Sequence, residues 1–171
     1  MKFNNAFLGA RHLRSSSFVR WQGSLDAVSS RDFAVSVNGD ALLRTQFDPG
    51  DASQIVLGTT IPQAQDFYGA PWVAAQLGMT GVSGPDIAQA CATSVACLIA
   101  AAQTVEVDGE TTFPVVTSDR TSNEPLLVYP RSPSAGGALM TDQWGLADGG
   151  LGLFAGCAAG DTGAALVLSV G

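Results

Sequence analysis

The sequence predicts an α/β fold built on a mixed, mainly parallel sheet. Three observations predict it: apolar runs of strand length alternate with helix-patterned stretches, the connections are short, and one helix is apolar on nearly every side. The 171 residues are 46% hydrophobic and 13% charged, which is enough to bury a sizeable core and too apolar for a disordered chain.

Residues 6–10 (AFLGA) read as a short buried strand. Ser30 is placed to cap a helix in which Phe33, Ala34, Val37, Ala41 and Leu42 recur at helical spacing, although Gly39 weakens it. The turn FDPGD, Phe47 to Asp51, ends that unit, and IVLG at 55–58 follows as a second buried strand. Pro71 suits the first turn of a short helix, WVAAQL, which Gly78 stops.

A third strand ends near Ala90 and runs into Cys91. Thr93 or Ser94 can cap the helix beyond it, whose residues Val95 to Val105 lack a polar face, the mark of a buried helix. FPVVT, Phe113 to Thr117, makes another strand, and Pro114 assigns it to an edge or end position or to a bulge. The region from Ser118 to Trp144 is rich in Pro, Ser and Gly and reads as a surface excursion. Residues 150–171 then form a C-terminal β-hairpin of two apolar strands around a small-residue loop at Cys157. The expected organisation is therefore an α/β core over 1–118, an excursion and junction over 119–149, and the hairpin over 150–171.

The net charge of −7 is uneven: six basic and four acidic residues give +2 over residues 1–50, and two arginines against eleven acids give −9 over 51–171. An acidic chain without a basic cluster is a poor polyanion binder, so nucleic acid is not an expected partner. TGVSGPD at 80–86 lacks a phosphate-binding spacing, and no metal site is expected. No apolar run approaches the length of a membrane span, so no membrane partner is expected. Three cysteines argue for a reducing compartment, and a cytoplasmic location is expected. The segment from Arg11 to Arg20 has arginines, serines and no acid, as transit peptides do, but it finds another explanation below.

Cys91 is the best nucleophile candidate. It stands where a strand becomes a helix, and the amides and dipole of a helix N-terminus favour a thiolate, the reactive form of the group. Position alone leaves a second reading open, that of a small buried hydrophobe. Cys97, inside the helix, reads as core, and Trp21, Trp72 and Trp144 as packing residues. Asp119, Arg120 and Asn123 are placed to pair locally at the entrance of the excursion.

The segment QACATSVACLIAAAQTVEVDG, Gln89 to Gly109, resembles the nucleophile region of the thiolase superfamily, in which an active cysteine opens a buried helix. FLGARHLR looks like that family's opening strand and arginine, which explains the basic segment without a transit peptide. QGSLDAVSSRDFA resembles its turn into the first helix, IVLGTTIPQAQDFYGAPWVAAQLGM its second strand and loop, and VVTSDRTSN the entrance of its loop domain. This likeness runs from Ala6 to Trp144. GLGLFAGCAAGDTGAALVLSV, Gly150 to Val170, resembles the family's last strands with their second cysteine.

The resemblance implies a thiolase-like N-terminal half and an acyltransferase of acetyl-CoA acetyltransferase or 3-ketoacyl-CoA thiolase type, a transferase of lipid metabolism. Acyl-CoA would be the partner and coenzyme A thioester the substrate, with no bound cofactor. Cys91 would carry the acyl group, Cys157 would act as acid and base, and the Ala159 amide would support an oxyanion. Ala159 stands where glycine is usual, and Asp161 replaces a later glycine with a carboxylate that would repel an oxyanion. Thr93 and Ser94 stand where Ser and Gly are commoner, so that CATS leans toward ketosynthase relatives.

The family's Gly-His-Pro and Asn-Glu-Ala-Phe motifs are absent, and His12, the chain's one histidine, falls in the turn after the first strand. The expected chain is an internally shortened thiolase with impaired activity. The alternatives are a non-catalytic half that self-associates or binds a full-length relative, and a ketosynthase-like condensing enzyme. A missing second half would leave several of Val95, Leu98, Ile99 and Val105 exposed, so a homodimer or higher oligomer is expected, with strand 163–169 paired to strand 113–117.

Overall fold

The computed structural model describes residues 2–20, 22–63, 67–109 and 111–120, together with the backbone of three strands at 127–129, 151–153 and 162–169. The elements are β1 (Phe7–Leu8), β2 (Arg14–Ser15), α1 (Ser30–Thr45), β3 (Val56–Gly58), α2 (Ala70–Gln76), β4 (Asp86–Ile87), α3 (Thr93–Asp108), β5 (Phe113–Asp119), β6 (Leu127–Tyr129), β7 (Leu151–Leu153) and β8 (Thr162–Ser169). The main sheet runs β1-β8-β5-β3-β4, with β2 also on β8. Pairs β4–β3 and β3–β5 are parallel, whereas β5–β8, β8–β1 and β8–β2 are antiparallel. The fold is α/β as expected; its sheet is mixed, with a parallel part and an antiparallel part of similar size.

The C-terminal segment departs from the expected hairpin. β8 pairs with β5 from Phe113↔Leu168 to Asp119↔Thr162, which meets the expectation for 163–169. Its other side takes β1 and β2, so neither side is left for residues 151–153. β7 pairs instead with β6, in a separate antiparallel ladder from Leu127↔Leu153 to Tyr129↔Leu151. Pro114, which donates no ladder hydrogen bond, lies opposite Val167 of β8 and one residue short of the β3 register, the end position its chemistry allows.

Alternation along the strands divides the core between two faces. Leu57 and Val116 pack with Ala34 and Leu42 of α1 and with Ala70, Val73 and Ala74 of α2. Val56, Phe113 and Val115 pack on the opposite face with Cys97, Ala101 and Val105 of α3. The α1 cap is Ser29 rather than Ser30, its hydroxyl accepting from the Asp32 amide at 3.0 Å. Ser30 is buried. Its hydroxyl donates to the Ser118 carbonyl (3.0 Å) while the Ser118 hydroxyl donates to the Ser30 carbonyl (2.8 Å), tying α1 to β5. Between β3 and β4 the chains approach so closely that a Cβ at Gly84 would overlap the Ile55 carbonyl oxygen.

Two sequence readings are corrected here. Phe7 and Leu8 are about half exposed, because β1 holds only the outer edge of β8 with little layer above it. The second concerns the apolar run: Ala90–Asp108, 19 residues with mean hydropathy 1.5, has the length and composition to cross a membrane. Here it lies across the sheet, with Cys97, Ala101 and Val105 in the core.

The N-terminal segment is also fastened to α3. The exposed Glu106 carboxylate accepts from the backbone amides of Asn4 (3.0 Å) and Asn5 (2.9 Å). These bonds, the Asn5 amide first, hold its pKa below the ordinary 4.5. Because the folded value is depressed, the tether is intact above pH 4.5 and is lost as pH falls through the lower folded value. Hydrogen exchange at the Asn4 and Asn5 amides should rise above its intrinsic pH trend in that window, and Glu106→Gln should remove the pH dependence.

Candidate active site

Cys91 lies in a single 3-10 turn, Ala90–Ala92, directly before α3, and is exposed. Its thiol is therefore open to a reactant at the N-terminal end of α3. The open reading of a buried hydrophobe does not hold for it. It does hold for Cys97, fully buried against β3, whose thiol burial pushes up to about 11 so that it stays protonated at neutral pH.

The strand before Cys91 is shorter than expected. β4 ends at Ile87, and Ala90 takes a left-handed conformation, φ +46°, at a cost of about 1–2 kcal/mol for a residue with a Cβ. The Thr93 hydroxyl spans this turn, accepting from the Gln89 amide (2.8 Å) and donating to the Ala90 carbonyl (2.7 Å). Thr93 thus organises the turn in front of the helix, a larger role than the cap its position suggests. The α3 cap position itself is Ala92. A threonine two residues beyond a cysteine was the available signal.

Asp86 of β4 acts at a distance along the chain. Its carboxylate accepts from the Gly69 (2.6 Å) and Ala70 (2.9 Å) amides and so caps α2. Burial raises its pKa, and the two amide bonds offset part of that rise. At the entrance of the excursion Asp119 pairs with Thr60, whose hydroxyl (2.7 Å) and amide (3.1 Å) both donate to the carboxylate. Arg120 is buried and donates to the Val28 carbonyl at 2.6 Å.

The face of α3 turned away from the sheet is open. Cys91, Val95, Ile99, Gln103 and Val107 follow one another at intervals of four, and Val95, Ile99 and Val107 are 56%, 37% and 83% exposed. Val95 and Ile99 meet the expectation of a helix that lacks a covering second half, whereas Val105 does not, because it lies on the one face that the sheet covers. His12 occupies a 3-10 turn, Ala10–His12, that packs against α1. Its neighbours β1 and β2 stand at one end of the sheet, and β4, which leads into Cys91, stands at the other. Cys157, Ala159, Asp161, Asn123, Trp21 and Trp144 lie outside the described residues.

No family model matches this sequence, and no curated protein matches it. Solved structures do share its architecture. An acetyl-CoA acetyltransferase from Syntrophomonas wolfei superposes with a TM-score of 0.73 at 13% identity, over 99% of this chain and 65% of that one. A thiolase from Ascaris suum in complex with coenzyme A gives 0.73 at 12% identity, over 98% and 66%. The 3-oxoacyl-[acyl-carrier-protein] synthase III from Aquifex aeolicus VF5 gives 0.58 at 21% identity, over 85% and 40%. The chain has a thiolase-like fold, and it spans less than two thirds of the length of each of these proteins.

Proposed function

We propose that this chain is a thiolase-like acyltransferase in which Cys91 accepts an acyl group from an acyl-CoA. The observation that carries the reading is the exposed thiol at the N-terminus of α3 within a thiolase-like fold. In the acylation step Cys91 Sγ attacks the thioester carbonyl, a new thioester bond forms, and the bond to the coenzyme A sulfur breaks. The Cys91 proton ends on the released coenzyme A thiol. By the resemblance, Cys157 would then take a proton from a second acyl-CoA for condensation, with the Ala159 amide on the oxyanion; the reverse direction is thiolysis.

Turnover should be weak. The one histidine stands beside β1 and β2, at the opposite end of the sheet from the strand before Cys91, and general-base assistance is worth roughly 10²- to 10⁴-fold. Incubation with acetyl-CoA followed by mass spectrometry is expected to show one acetyl adduct that Cys91→Ala removes. No adduct on the folded wild-type protein would overturn the reading.

The exposed α3 face favours a second reading, a non-catalytic half that covers this face by pairing with another copy or a full-length relative. Acylation without steady thiolysis of acetoacetyl-CoA, together with a concentration-dependent mass in sedimentation, would support it. The ketosynthase-like reading, to which the synthase III likeness lends the same fold-level support, predicts a preference for acyl carrier protein over coenzyme A.

A further inference from the structure

We propose that Thr93 is the positioning residue of Cys91: its hydroxyl holds the strained Gln89–Ala90 turn, and its methyl seats that turn on β3. The inference rests on Cys91 as the acyl acceptor and adds the residue that aims it. Thr93 is buried, and one hydroxyl serves the two backbone groups that flank the left-handed residue, the Gln89 amide and the Ala90 carbonyl. The methyl lies where a Cβ on Gly58 would come within 2.9 Å of it, so the side chain stands directly on the backbone of β3. β3 is fixed in turn by parallel ladders to β4 and β5.

A chain of contacts therefore runs from the middle of the sheet through Thr93 to the peptide unit before Cys91. Without the hydroxyl, this exposed turn keeps only its backbone bonds, Ala92 N–H to the Gln89 carbonyl and Thr93 N–H to the Ala90 carbonyl, and loses the two side-chain bonds that favour a conformation that alanine resists. The thiol then samples directions away from the helix terminus. Both reactions of Cys91 need it at that terminus, and small displacements of a reacting group carry large rate costs.

The test compares Thr93→Val, which keeps the shape, with Thr93→Ser, which keeps the hydroxyl. Two rates are read by peptide mass spectrometry at Cys91, acetylation by acetyl-CoA and alkylation by iodoacetamide, with circular dichroism confirming the folded state. Thr93→Val is expected to slow both reactions roughly ten- to hundredfold, with Thr93→Ser within about twofold of wild type. A merely structural role would lower the melting temperature and leave both rates of the folded protein unchanged.

If Thr93→Val does not fold, Thr93→Val/Ala90→Gly is compared with Ala90→Gly: glycine takes the left-handed conformation without the clamp, so the two should react within about twofold of each other, and a ten- to hundredfold loss in the double variant would overturn the inference. Wild-type rates in folded Thr93→Val, or equal losses in Val and Ser, would overturn the inference. Absence of acetylation in the wild type would count against the acyltransferase reading alone, and the alkylation series would still decide the clamp.

Discussion

Ending the chain at residue 161 is expected to unfold the protein rather than trim it. β8 is the eight-residue C-terminal strand, yet it lies inside the sheet, with β5 on one side and β1 and β2 on the other. Its removal strips β5 of a seven-residue register and detaches both N-terminal strands, which among the described residues pair with no other strand. It also leaves part of α1 without the strand on which it packs. Ladder hydrogen bonds contribute about 1 kcal/mol each net, and the buried groups left unpaired cost about 1–3 kcal/mol each. Several such losses match the about 5–15 kcal/mol that holds a domain together. The truncated chain should show no cooperative thermal transition. A single proline tests the same point in the full-length chain: Ala165 sits between Val116 and Arg14 on the neighbouring strands, and Ala165→Pro should cost at least about 3 kcal/mol. A truncated protein that melts near the wild-type temperature would show that β8 is dispensable.

Local signals located most elements. The helix at 30–45 was legible because Phe33, Ala34, Ala41 and Leu42 repeat on one face, and all four are buried. The strand at 55–58 was legible as an apolar run between turn signals, and Ile55, Val56 and Leu57 are buried. Partner choice was not legible in the same way. Residues 151–153 and 162–169 are both apolar and close in sequence, which a hairpin satisfies. The pairing that forms is decided by strands supplied from some 50 positions away for β8 and some 25 for β7, and no local pattern carries that information.

The site was legible to a similar depth. Cys91 was identifiable from the change of pattern at a strand–helix junction, and its exposure agrees with that reading. What escaped was the half-turn before it: the left-handed Ala90 has no glycine to announce it, because a threonine hydroxyl three residues on stabilises the conformation instead. The Asp86 cap on α2 escaped for a different reason. Cap rules look at the residue next to the helix, and here the carboxylate comes from a strand 16 and 17 residues further along the chain.

Gly58→Ala should give the second large effect, and it separates the docking of α3 from the stability of the sheet. A Cβ at residue 58 would stand 2.5 Å from Cys97 Sγ, 2.9 Å from Thr93 Cγ2 and 3.0 Å from Thr117 Cγ2. β3 cannot retreat, since it is paired on both sides, and Thr117 belongs to the neighbouring strand. The helix must therefore move outward at its N-terminal half. Overpacking of this kind costs about 1–3 kcal/mol. For a chain of this size that corresponds to a fall in melting temperature of roughly 2–12 °C. The displaced turn carries Cys91, so its acylation should fall in the folded protein as well. Cys97→Ala removes the closest of the three contacts, and the double variant Gly58→Ala/Cys97→Ala should be more stable than the sum of the single effects by about 1 kcal/mol or more. Strict additivity would mean that Cys97 does not rest on β3 at this point.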